Sequence, residues 1–168
     1  MTSYFTESDF RRSELAESGI GFNAAFLHDI KQDHVEFRDM MGQLSEEIKP
    51  GTKLVARELA DRLGQLRDEI ETYFALEEFY GCFDHALDPS LQVCRQAEHL
   101  KNQHTELFVQ LNELVDRAEQ VVYHESTDQN VASIIDGFVN FENKLKIHEQ
   151  LEMEMILSQF NDDIGVGD

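Results

Sequence analysis

Basic side chains are scarce in this sequence. Fourteen Lys and Arg stand against 34 Asp and Glu, giving a formal net charge of −20. Such a surface repels phosphate, which argues against nucleic acid and against anionic membranes as partners. Long apolar runs are missing as well. No stretch approaches the ~20 residues that span a bilayer, and the opening MTSYFTESDFRRSELAES has no apolar segment of the signal-peptide kind. Cysteine is confined to Cys82 and Cys94, which form neither a CxxC pair nor a disulfide framework. A reducing cytoplasm is therefore the expected compartment. No Ser/His/Asp elbow, P-loop or GxGxxG is present, which removes the commonest hydrolase and nucleotide-binding classes. The 41% hydrophobic content is nevertheless too high for a disordered chain. A length of 168 residues suits one domain around one core.

Proline is limited to Pro50 and Pro89. Pro50-Gly51-Thr52 and Asp88-Pro89-Ser90 mark two breaks, with Asp88 suited to cap a helix that begins at Pro89. The polar cluster His124-Glu125-Ser126-Thr127-Asp128 marks a third. Four long segments remain, at about 20–49, 53–87, 89–122 and 128–160, and none alternates like a strand. Each carries a seam with steps of three and four. The first runs Ile20, Asn23, Leu27, Ile30, His34, Phe37, Met41, Leu44, Ile48, and the second Leu59, Leu63, Leu66, Ile70, Tyr73, Glu77, Tyr80, Asp84. The third runs Ala97, Leu100, His104, Leu107, Leu111, Leu114, Ala118, Val121, and the fourth Ile134, Phe138, Phe141, Leu145, His148, Glu152, Met155, Gln159. Four such seams joined by short turns predict an all-α, antiparallel up-down-up-down four-helix bundle over 20–160. Residues 1–19 read as an N-terminal arm and 161–168 as a flexible tail.

Away from the segment ends, six residues interrupt otherwise apolar seams: His34, Tyr73, Glu77, His104, His148 and Glu152. A buried carboxylate needs compensation, and the inner seams hold no Lys or Arg to provide it. A metal centre supplies the missing positive charge. Tyr73 and His104 are equidistant from the turn near 88, and His104 and His148 from the turn near 126. Glu77 and Glu152 stand one turn from Tyr73 and His148 on the same faces. Taken singly, each residue has an ordinary structural explanation. A lone seam histidine is more often a satisfied core group than a ligand, and a lone tyrosine is an ordinary core aromatic. Six at one depth are not so easily dismissed. His28, His85, His99 and His124 lie off the seams and read as surface residues, with His85 within reach of the bundle end, and Glu78 and Glu149 point about 100° away from the proposed ligands, where they read as either solvated or supporting a ligand.

An internal repeat reinforces the pattern. KQDHVEF from Lys31 aligns with KNQHTEL from Lys101, pairing His34 with His104, and Tyr73-x3-Glu77 aligns with His148-x3-Glu152. Two half-sites of this kind suit two metal ions bridged by two carboxylates. Mixed nitrogen and oxygen ligation suits iron or manganese, whereas zinc sites are more often tetrahedral and rich in thiolate. A ferritin-like di-iron enzyme is disfavoured, because no Glu-x-x-His occurs in the chain.

Over about 20–160 the sequence resembles the hemerythrin-like (HHE cation-binding) family. The resemblance is carried by DHVEFRDMM around His34, FALEEFYGCF after Tyr73, QHTELF around His104 and IHEQLEMEMI around His148. It implies a four-helix bundle with a non-haem di-iron centre that binds or senses O2, peroxide or iron. It places His34, Glu77, His104, His148 and Glu152 on ligand positions, with the glutamates bridging. Two positions depart from the family: Tyr73 stands where a histidine is usual, and Leu100 stands where the oxygen carriers have a further histidine. A Tyr73 phenolate would favour Fe(III), and Leu100 would leave a position open, so sensing or peroxide chemistry is expected over O2 transport. The competing expectations are a di-iron oxidoreductase with peroxidase-like activity and a scaffold bundle whose metal site is vestigial. Signalling would need either a homo-oligomer or a separate partner protein.

Overall fold

A computed structural model describes residues 34–49, 55–80, 91–123 and 128–164 of the chain. These form helices α1 (Val35–Glu47), α2 (Ala56–Tyr80), α3 (Leu91–Tyr123) and α4 (Asp128–Ile164), with no strand among the described residues. The architecture is that of a four-helix bundle. The breaks expected at Pro50-Gly51-Thr52, Asp88-Pro89-Ser90 and His124–Thr127 lie outside the described residues, as do the 1–19 arm, His28 and His85. Helix α4 continues to Ile164, four residues past the end expected from the seam (164 − 160). None of the helices among the described residues is long and apolar enough to cross a membrane.

The seams explain the helices. In α1 the buried residues are Phe37, Met41 and Leu44. In α2 they include Leu59, Leu63, Leu66, Ile70, Tyr73 and Glu77, and α3 and α4 repeat the rhythm through Leu107, Leu111, Leu114 and through Ile134, Phe138, Phe141, Leu145. Steps of four and three keep one stripe facing inward on every helix. Positions paired by the repeat are buried together: Met41 with Leu111, Leu44 with Leu114, Leu63 with Phe138, Leu66 with Phe141, Ile70 with Leu145. The duplication first visible around the histidines therefore extends through the core.

Helix α1 packs on α2, α2 on α3 and α3 on α4. The Ser45 hydroxyl donates to Glu142 Oε1 at 2.7 Å, tying α1 to α4. Gly137 allows α4 to lie close against α3, since a Cβ there would fall 2.6 Å from Leu114 Cδ2. A large apolar cluster draws on all four helices, and a smaller one joins Ala97 and Leu100 of α3 to Met155 and Ile156 of α4. Between the two clusters, where α3 passes from Leu100 to Leu107 and α4 from Leu145 to Met155, the inward residues become polar.

Candidate metal centre

That polar layer contains Glu77 of α2, His104 of α3 and His148 and Glu152 of α4, all between 0% and 2% exposed. Apolar layers on both sides keep water away. One ligand atom from each of the four residues lies within 4.8 Å of all the others. His104 Nε2 stands 3.4 Å from Glu77 Oε2 and 3.5 Å from Glu152 Oε1, and His148 Nε2 stands 3.3 Å from Glu152 Oε1. Four donors at bond lengths of about 2.0–2.1 Å around one ion would be separated by about 3.4 Å. The three spacings of 3.3–3.5 Å are compatible with donors that share a cation.

Hydrogen bonds on the outer edges of the rings aim both imidazoles. His104 Nδ1–H donates to Glu78 Oε1 at 3.0 Å, and Lys101 Nζ lies 4.0 Å from the other Glu78 oxygen. His148 Nδ1–H donates to Gln103 Oε1 at 2.9 Å. With Nδ1 protonated, each neutral ring turns its Nε2 lone pair toward the carboxylates. His148 Nε2 has no hydrogen-bond partner and faces a carboxylate oxygen. Lone pair opposite lone pair calls for a cation between them. At His104, which has a carboxylate oxygen of both Glu77 and Glu152 beside it, a proton can play that part. Burial lowers the affinity of His104 for a proton, but the Glu152 and Glu77 carboxylates override burial and push its pKa up to about 9.

Aromatic rings wall the layer. Phe74 stacks on His104 at 4.0 Å between centroids and meets His148 edge-on at 5.8 Å. His104 and His148 form a T-shaped pair at 4.7 Å and 69°. His34 and Tyr73, their counterparts in the repeat, form another at 4.8 Å and 63°. Tyr73 is buried and stacks on Phe37 at 5.3 Å, within the field of the Glu77 carboxylate. Burial and the Glu77 carboxylate, with Glu152 and Glu149 adding to the field, raise the Tyr73 pKa far above the ordinary phenol value. It is thus a neutral phenol in the metal-free protein.

Of the six residues expected as ligands, the structure gathers Glu77, His104, His148 and Glu152 into one cluster. Tyr73 touches that cluster through Glu77. His34 lies outside the four-residue group, half-buried against the Tyr73 ring. It caps α1 rather than sitting within a helix, because its ψ of 57° departs from the helical range. The seam had carried the first helix through this position. Glu78, expected to be either solvated or a support to a ligand, takes the second part and accepts from His104. Gln103 went unnoticed in the sequence. The available signal was its place beside His104, one turn from His99, whose exposed ring it also meets at 3.0 Å.

Comparison of the chain with protein-family models, with curated proteins and with solved structures finds no match.

Proposed function

We propose that this protein is a non-haem di-iron protein of the hemerythrin-like type, binding or sensing O2, peroxide or iron. The observation that carries the reading is the buried Glu77–His104–His148–Glu152 cluster, whose donors lie within 4.8 Å of one another. The matching ring pairs, His34 with Tyr73 and His104 with His148, support two half-sites and hence two ions. In this reading consecutive helices run antiparallel after an N-terminal arm. Arg117 meeting Ser133 while His104 meets His148 supports that path, since α4 numbers rise as α3 numbers fall.

Iron held here would supply the ligation and reduction of O2 or peroxide. The chain contributes the rest. Glu77 and Glu152 bring the negative charge that a cation neutralises and are suited to bridge two ions. His104 and His148 present neutral nitrogen donors, with His34 and Tyr73 standing beside the second half-site. Phe74 and the two apolar clusters exclude water. Leu100, buried among Ala97, Met155 and Ile156, gives no imidazole where the resemblance has one in the oxygen carriers. The smaller histidine set favours sensing or peroxide chemistry over transport.

A cavity of about 220 Å³ favours a second reading, an oxidoreductase with peroxidase-like activity, because Gln103, Leu107, Ile147 and His148 are among its lining. Elemental analysis of protein from iron-replete cells tests the first reading and should find two iron atoms per chain. Folded protein without any transition metal would leave the scaffold interpretation. Peroxide consumption by the iron-loaded protein would separate the enzyme from the sensor.

A further inference from the structure

The two buried histidines are held by chemically different partners. The outer nitrogen of His104 donates to a carboxylate, Glu78 Oε1 at 3.0 Å, whereas that of His148 donates to an amide oxygen, Gln103 Oε1 at 2.9 Å. Both contacts cross between helices, from α2 to α3 and from α3 to α4, so each records how two helices dock. Both partners are half-buried, while the rings they hold are 2% and 1% exposed.

We infer that Glu78 and Gln103 are the positioning residues of the centre and make its two imidazoles unequal donors, His104 the stronger and His148 the weaker. The reasoning is electrostatic. A carboxylate that accepts the Nδ1 proton draws that proton outward and raises electron density at Nε2. An amide oxygen accepts the same bond with no net charge and does so less. Each bond also fixes Nδ1 as the protonated nitrogen, leaving Nε2 for the cluster. Lys101 Nζ, 4.0 Å from the other Glu78 oxygen, helps to hold the supporting carboxylate in place. This inference deepens the metal-centre reading and rests on it for its second half only, because the orientation of the rings belongs to the metal-free protein too.

The experiment therefore has two arms, run on the full chain and on Glu78→Ala, Glu78→Gln, Gln103→Ala and Gln103→Glu. In the metal-free arm, NMR of ¹⁵N-labelled histidine observes the Nδ1–H protons, which are held whether or not Nε2 carries a proton. Wild type should show two downfield, slowly exchanging Nδ1–H signals. Glu78→Ala should lose that of His104 alone, and Gln103→Ala that of His148 alone. In the second arm, cobalt(II), an air-stable probe of nitrogen and oxygen sites, is titrated against a chromophoric chelator. Loss of a supporting partner lowers metal affinity about 10–100-fold in other sites. Glu78→Ala should weaken cobalt binding in that range, Glu78→Gln less, and Gln103→Glu should tighten it. Unchanged Nδ1–H signals in both alanine variants would overturn the inference whatever the metal does. Weakening of equal size in Glu78→Gln and Glu78→Ala, or no tightening in Gln103→Glu, would overturn the claim of unequal donors. A wild-type protein that binds no cobalt but shows both signals would overturn the metal-centre reading and, with it, the donor inequality, while supporting the positioning roles.

Discussion

Glu77 and Glu152 are fully withdrawn from solvent, and both crowd the same nitrogen, His104 Nε2, at 3.4 and 3.5 Å. Without a metal, two carboxylates share one protonated imidazole, an arrangement that costs stability. Replacing either glutamate by glutamine keeps the volume and leaves one carboxylate for one imidazolium. Glu77→Gln and Glu152→Gln should therefore stabilise the metal-free protein by about 1 kcal/mol each while sharply reducing metal uptake. Denaturant melts of chelator-treated protein, with elemental analysis alongside, measure both. A metal-free variant less stable than wild type would contradict the crowding argument. The clustered ligands are also the part of the site that could be read from the sequence. Each of Glu77, His104, His148 and Glu152 replaces an apolar residue at a position that the seam sends inward. Glu78 and Gln103 could not be read that way. Each stands one residue off the seam, about 100° round the helix, where most side chains face water. Only the docking of a neighbouring helix turned them toward an imidazole. The N-cap place of His34 was also out of reach, since seam spacing assumes continuous helix and the helix starts at Val35.

At the scale of the helices, glycine gives a sharp contrast. Gly42 of α1 and Gly64 of α2 have open space where a Cβ would stand, whereas Gly137 of α4 has Leu114 Cδ2 at 2.6 Å. Alanine at 42 or 64 gains helix propensity with nothing to displace, so each change should stabilise by about 0.5–1 kcal/mol. Leucine at 137 must force α3 and α4 apart and should cost about 1–3 kcal/mol. Thermal melts of the three single variants test the packing directly. Helix α1 has 13 residues, too few to be stable alone, and its tie to α4 carries a pH signature. Burial pushes the Glu142 pKa up, but the Ser45 hydroxyl and Lys146, 3.0 Å away, override this and hold it below its usual 4.5. A lowered carboxylate pKa stabilises the fold above the unfolded value, and that stability is lost as pH falls through the folded one. Ser45→Ala should then cost up to about 1 kcal/mol near neutrality, less for the partial exposure of the pair. The cost should shrink in acid once Glu142 protonates in wild type as well. Denaturation at neutral pH and below the ordinary carboxylate range would show it, and an equal cost at both would rule out the ionic contribution. The helices themselves were legible because their apolar steps of three and four run through the whole core. The Ser45–Glu142 bond was not, since it joins positions 97 apart in the chain and depends on how α1 settles.

For the molecule as a whole, simple salt and a core-bound metal ion would act differently on a chain of net charge −20, and the two can be told apart. Simple salt screens the repulsion among surface carboxylates and should raise the melting temperature of any variant that keeps the surface. A metal ion held by the core cluster would act by ligation. Its donors would come from α2, α3 and α4, so no such site exists in the unfolded chain and binding free energy would add to folding free energy. At free metal about 100-fold above the dissociation constant the gain is about 2.7 kcal/mol. For a chain of this size that corresponds to a rise of roughly 5–10 °C. At fixed ionic strength, iron(II) under anaerobic conditions should produce this rise in wild type, and a chelator should reverse it. Glu77→Gln and Glu152→Gln should lose the iron effect and keep the full response to potassium chloride, because each removes only one charge from the total and none from the exposed surface. Comparable shifts from iron in wild type and in both variants would mean that the ion acts on the acidic surface and that the buried cluster holds only its proton.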